Sequence, residues 1–249
     1  YATGKDYHRW FKEDLNKLGQ QLKTEFPEHD FIAFTDSGPV LERDLAYQAG
    51  LGWFGKNTCL IHQSEGSFFF IGEIFTSLDI QVKPTIHPDL CGTCNRCVEA
   101  CPTQALLPSK KIDTTNGISY WTIEAKEVAP VHIRNSLEDW LFGCDICQNV
   151  CPWNTKTFGP QLASISPDRN EQIKELQWIL TQSNRSLERQ IKLTPLDRCG
   201  ARGLKRNALI VIGNLKINEL TEAVHPYLKL DYFKELAQWT LSQLGSSVE

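Results

Sequence analysis

The chain has 249 residues, 41% of them hydrophobic, and 26 Lys plus Arg against 30 Asp plus Glu give a net charge of −4. Such a length buries a substantial core in two or three structural units, and the acidic balance excludes a protein that is basic all over. No run of about eighteen apolar residues occurs and no signal peptide precedes the first helical segment, so a cytoplasmic protein with no membrane association is expected. The chain opens on Tyr1 and has no methionine, which reads as a fragment or a processed chain.

From Lys5 to Phe26 the apolar residues Tyr7, Phe11, Leu15, Leu18 and Leu22 recur at helical spacing, which predicts one amphipathic helix ended by Pro27. Asp30 to Thr35 is short, aromatic and β-prone, and reads as a buried strand. A loop through Asp36, Ser37, Gly38 and Pro39 leads into a predicted helix from Val40 to Ala49, stopped by Gly50 and Gly52. Strands are predicted at Thr58 to His62 and Phe68 to Phe75, around a turn at Ser64 to Ser67. This alternation predicts a truncated α/β layer, residues 1–85, joined around Pro84 to Pro88 to a cysteine segment, 86–157. After Pro160, helix formers dominate in Arg169 to Gln182, Gly203 to Leu215, Glu219 to Leu230 and Tyr232 to Leu244. They predict a helical unit, 158–249, built as a small HEAT-like stack, and the fold class is α+β.

Seven of the nine cysteines fall into two runs, Cys91, Cys94, Cys97, Cys101 before Pro102, and Cys144, Cys147, Cys151 before Pro152. In a secreted chain nine cysteines would suggest disulfides, but this spacing is the bacterial ferredoxin pattern, and metal-holding thiolates belong in a reducing compartment. A structural zinc site would want paired knuckles over a longer spacer. Crossed ligation assigns Cys91, Cys94, Cys97 and Cys151 to one 4Fe–4S cluster and Cys101, Cys144 and Cys147 to a second. The second is one thiolate short, since a regular ferredoxin would place its fourth ligand where this chain has Leu141. Cys59 and Cys199 read as small buried apolar residues. Two adjacent clusters form an electron wire, and a wire implies a redox centre at its end.

The segments at 36–56, 66–73 (GSFFFIGE), 91–106, 118–124 (ISYWTIE), 143–154 (GCDICQNVCPWN) and 204–214 (LKRNALIVIGN) together resemble epoxyqueuosine reductase. That family comprises cobalamin-dependent enzymes of tRNA queuosine biosynthesis, related to the reductive dehalogenases. The resemblance runs in matching order over nearly the whole chain. It implies a cobalamin-binding α/β domain, a ferredoxin-like two-cluster module and a HEAT-like helical domain that helps to hold tRNA. It further implies reduction of epoxyqueuosine to queuosine at the wobble position of a tRNA anticodon stem-loop. Cobalamin and two 4Fe–4S clusters would be the cofactors, a flavodoxin or similar protein the external electron donor, and the enzyme a monomer.

By the same resemblance Asp36 matches the proton donor to the departing epoxide oxygen, although on residues alone it reads equally as a turn or cap residue ahead of Pro39. Lys56, Asn57 and Leu60 match a segment that contacts cobalamin, and Ser119, Asp145 and Ile146 are expected where the second cluster meets the corrin. The chain departs from the family at Gly117, where a cysteine before the ISY segment supplies the second cluster's fourth ligand. Water, an exogenous thiol, Asp113 or Asn116 is expected to take that place. Arg198, Arg202, Lys205 and Arg206 put four positive charges into nine residues. A solvated helix face and a phosphate contact stand even there, and the resemblance turns the four into tRNA backbone contacts. Two other readings compete. A plain two-cluster electron carrier leaves Asp36 and the basic tail unexplained, and a corrinoid reductive dehalogenase needs no RNA-binding tail.

Overall fold

The structure, a computed structural model, describes residues 2, 4–81, 83, 85–108, 110–159 and 168–245. Pro84 and Pro160, around which the segments were expected to join, lie outside the described residues. Helix α1 (Tyr7–Glu25), strand β1 (Phe31–Phe34), helix α2 (Glu42–Gln48), the hairpin β2 (Trp53–Phe54) and β3 (Leu60–Ile61), and strand β4 (Glu73–Thr76) open the chain. Asp6 starts α1 by accepting the His8 amide at 3.1 Å, which satisfies one of the helix's orphan donors. β1 and β4 pair antiparallel, Phe31 opposite Thr76 and Phe34 opposite Glu73.

The aromatic run expected as a strand from Phe68 enters the ladder only at Glu73. Its rings pack elsewhere: Phe70 stacks on Tyr7 at 3.9 Å, and Phe68 meets Phe158 edge-on at 5.8 Å. Likewise α2 begins at Glu42 and not at Val40.

The cysteine segment holds α3 (Arg96–Glu99), the hairpin β5 (Leu106–Leu107) and β6 (Lys111–Ile112), a π-helical turn at Tyr120–Glu124, α4 (Val131–Arg134), α5 (Ile146–Asn149) and α6 (Pro152–Phe158). The two cysteine runs repeat one local shape. Asn95, before α3, has φ −125° and ψ 12°, and Asp145, before α5, has φ −117° and ψ 12°. Each run thus turns into a short helix two residues before Cys97 and Cys147 respectively. The β2–β3 hairpin docks where the two runs meet: Trp53 and Ile61, each 1% exposed, pack with Cys151 of the second run and Cys91 of the first, and Trp153 meets Trp53 edge-on at 4.9 Å.

Gly52 permits this hairpin, because a Cβ there would stand 2.1 Å from the Ile61 carbonyl oxygen. Gly52→Ala therefore pushes β2 from β3 and is expected to cost about 1–3 kcal/mol. A melting temperature equal to the wild type's would contradict that packing.

Helices α7 (Arg169–Thr181), α8 (Asn184–Ile191), α9 (Gly200–Asn214), α10 (Thr221–Val224) and α11 (Asp231–Gln243) complete the fold. α9 is its axis: Leu204, Ala208, Leu209 and Ile212 are at most 1% exposed, and nearly every residue from Ala201 to Gly213 is buried. α8 was not predicted, since Leu187 and Ile191 are its only aliphatic residues; Ser183 caps it by accepting the Ser186 amide at 3.1 Å. The helix expected over Glu219 to Leu230 breaks into α10 and flanking 3₁₀ turns, because Pro226 has no amide to continue the ladder. Ile118, Ala129, Ile133 and Leu137 share one hydrophobic core with residues of α7, α9 and α11. The core thus runs across the expected limit at residue 157. Among the described residues no helix is long and apolar enough to cross a membrane.

Candidate functional site

Two cavities are walled by cysteines. One, of about 280 Å³, is lined by Cys91, Cys94, Cys97 and Cys151, and another, of about 400 Å³, by Cys101, Cys144 and Cys147. This is the crossed partition that the ferredoxin spacing predicts. Among the described residues no three His, Cys, Asp or Glu side chains converge as they would on a single metal ion. The thiols instead surround a volume, which suits a cluster with an iron at several corners. Burial pushes the Cys144 thiol up to about 11 and that of Cys147 further, so iron must displace a proton from each.

Asn57 is a wall of both cavities. It is 3% exposed, its Oδ1 accepts the Cys59 amide at 3.2 Å, and its Nδ2 has no hydrogen-bond partner among the described residues. Such a buried donor costs free energy unless a bound group accepts from it. Ser119 and Ile146 line the second cavity, which extends to the π-helical turn. Lys56 serves the first cysteine run: its ammonium donates to the carbonyls of Gly92 and Cys94 and to Asn95 Oδ1, each at 2.9 Å. Leu60 is buried in β3, and Asp145 accepts from Gln148 at 2.7 Å; neither lines either of these two cavities.

Asp36 sits just after β1 with φ +53°, in the left-handed region that Asp tolerates better than most residues. Its Oδ2 accepts the Tyr7 hydroxyl at 2.9 Å and also meets His8 Nε2. His8 Nδ1 lies 2.6 Å from Asp6 Oδ1, so the imidazole is clamped between two carboxylates. Partial burial opposes charge on His8, but the hydrogen bonds and charges of Asp6 and Asp36 outweigh it and raise its pKa above 6.5. The resulting stability is present in full below 6.5 and is lost as pH rises through the raised value. The stability gap between wild type and His8→Gln should therefore shrink with pH in that range. A gap independent of pH would show that the clamp is not ionic.

His8 and Tyr7 also line a cleft of about 490 Å³ together with Arg198, whose Nε pairs with Glu124 Oε1 at 2.8 Å. Ile123 and Glu124, on the π-helical turn, wall both this cleft and the second cysteine cavity. The first cysteine set, Asn57, the second set, the turn and His8 therefore form one continuous run of shared walls, and Asp36, which lines none of these cavities, is joined to it through its contact with His8.

Residues 90–154 match the family of 4Fe–4S double cluster binding domains, and residues 1–37 match the family described as epoxyqueuosine reductase QueG, DUF1730. An epoxyqueuosine reductase of Pseudomonas aeruginosa is 34% identical over 251 residues, covering 99% of this chain and 69% of that relative. The chain belongs to the epoxyqueuosine reductase family. A family member from Cyclobacterium marinum is 49% identical over 154 residues, covering 62% of this chain and 50% of its own length. The chain thus spans between 50% and 69% of the length of these relatives. The solved epoxyqueuosine reductase of Streptococcus thermophilus superposes with a TM-score of 0.86 at 26% identity, over 99% of this chain and 66% of that one. A family structure crystallised with an epoxyqueuosine-modified tRNA stem loop gives 0.83 at 27% identity, over 98% and 65%.

Within this family fold the four basic residues separate. Lys205 and Arg206 are 7% and 1% exposed, so the expectation that they touch tRNA phosphates is corrected. Lys205 donates to the Gln182 carbonyl at 2.6 Å, and Arg206 donates to the carbonyls of Trp121, Ala125 and Glu127. Buried charge demands such partners; the Arg206 bonds fix the π-helical turn and the residues after it to α9, and the Lys205 bond ties α9 to the end of α7. Arg198 and Arg202 remain at the surface, the latter 4.8 Å over the Tyr232 ring.

Sequence reasoning missed His8, Tyr7 and Glu73. Glu73 is the only acid in GSFFFIGE, and burial, then the charge of Glu42, push its carboxyl up to about 7. Neither of its oxygens has a hydrogen-bond partner among the described residues, and Glu42 in turn accepts the Asp36 amide.

Proposed function

We propose that this chain reduces epoxyqueuosine to queuosine at the wobble position of tRNA, with cobalamin and electrons delivered through two 4Fe–4S clusters. The observation that carries the reading is the continuous run of walls from Cys91 through Asn57 and Cys147 to His8 and Arg198. One end takes electrons from an external donor of the flavodoxin type, and the other presents His8, in contact with Asp36, in a cleft that Arg198 also lines. Opening an epoxide to an alkene consumes two electrons and two protons and releases the oxygen as water.

Asn57, Ser119 and Ile146 would hold cobalamin against the second cluster, and the unpartnered Asn57 amide fits one of the corrin's amide arms. When bound, the cofactor supplies the two-electron reductant at the epoxide carbon. Asp36 takes a proton from the charged His8 and passes it to the leaving oxygen, and His8 regains one from the cleft. Glu73, which takes up protons near neutrality, adds a second buried store on the same strand pair. Arg198 and Arg202 hold the tRNA backbone, fixing position without reading bases.

The test is anaerobic incubation of the protein with cobalamin, a strong reductant and tRNA carrying epoxyqueuosine, followed by mass spectrometry of the nucleosides. Conversion to queuosine is expected. Unchanged epoxyqueuosine under those conditions defeats the proposal.

A further inference from the structure

We infer that Cys59 supplies the fourth thiolate of the second cluster. The inference rests on the two-cluster reading of the module and not on the reaction proposed for it. The 400 Å³ cavity is walled by Cys101, Cys144 and Cys147, and the fourth cysteine on its wall is Cys59, contributed by the β2–β3 hairpin. The first cavity already has four cysteines, and Cys59 is not among them. Cys199, the remaining cysteine, walls neither.

The two side chains expected from the sequence as that ligand are otherwise engaged. Asp113 accepts from the Thr115 amide at 3.1 Å, the Thr115 hydroxyl at 2.6 Å and Asn116 Nδ2 at 3.0 Å. Neither Asp113 nor Asn116 lines the cavity.

Local structure explains how a residue next to a strand comes to face this space. Thr58 has φ +65°, a strained conformation for a β-branched residue, and Asn57 Oδ1 holds the Cys59 amide. The turn brings Cys59 to the cavity before Leu60 and Ile61 enter β3. On ligation Cys59 gives its proton to solvent and forms an iron–sulfur bond, with no change of oxidation state. Gly117 walls the same cavity, and a Cβ there would meet Thr114 O at 3.2 Å and Tyr120 Cβ at 3.8 Å. A cysteine at 117 therefore fits after a small shift and offers a second route to the same iron.

The experiment compares wild type, C59A and the double variant C59A/G117C, purified anaerobically, by iron and sulfide counting and electron paramagnetic resonance. A cluster iron without a protein thiolate is released as Fe²⁺ when ferricyanide removes one electron, leaving a paramagnetic three-iron cluster. Wild type should keep about eight irons per chain through that oxidation. C59A should lose about one iron and give the three-iron signal, or lose the second cluster whole, and G117C should restore the wild-type result. A wild type with only about four irons removes the two-cluster reading, and the inference with it. A wild type that already gives the three-iron signal, a C59A protein indistinguishable from wild type, or a C59A defect that G117C does not restore overturns the assignment of Cys59 while leaving the two clusters in place.

Discussion

Asp36→Asn should slow epoxide reduction by roughly 10²- to 10⁴-fold while leaving iron content and tRNA affinity unchanged, the loss expected when a positioned general acid is removed. The substitution isolates the proton. Asparagine tolerates the left-handed backbone that Asp36 adopts at φ +53°, and its side-chain oxygen can still accept the Tyr7 hydroxyl. It also removes one of the two carboxylates that charge His8, so the His8 pKa should fall toward 6.5. Turnover within a few-fold of wild type would remove Asp36 from the chemistry and return it to the role of a turn residue.

Arg206→Ala should destabilise the protein by about 3–5 kcal/mol, because three carbonyls and a cavity are left without their donor in an apolar core. For a chain of this size that is a fall of roughly 6–20 °C in melting temperature. The variant isolates structure from binding, since tRNA affinity per folded molecule should be retained. Arg202→Ala should do the reverse, leaving the melting temperature nearly unchanged and flattening the salt dependence of tRNA binding by about one phosphate contact. An Arg206→Ala protein as stable as wild type but weak on tRNA would place Arg206 back at the surface.

These two residues also mark where sequence reasoning reached and where it stopped. Arg206 lies in a cluster of four positive charges, and local charge says nothing about which side chains turn inward. The signal was nevertheless present. LKRNALIVIGN carries apolar residues on every face of a helix, which marks a buried helix and not a surface one, and its cations must then find internal acceptors. Asp36 was legible as a residue but not as a site, because its partners Tyr7 and His8 lie 29 and 28 positions earlier. Cys59 illustrates the same limit: outside the ferredoxin runs, nothing in its neighbours distinguishes a packed cysteine from a ligand.

What the sequence determined by itself was local: the periodic face of α1, the cysteine spacings and the crossed partition of seven thiols between two cavities. Cluster ligation within a run is decided by three-residue steps of backbone, so spacing alone carries it. Only the tertiary structure decided that Asn57 separates the two cavities, that His8 charges beside Asp36, and that residues 118–142 share a core with the last helices. Those facts depend on chain segments brought together by burying apolar surface, which is roughly proportional to area and carries no direction along the sequence.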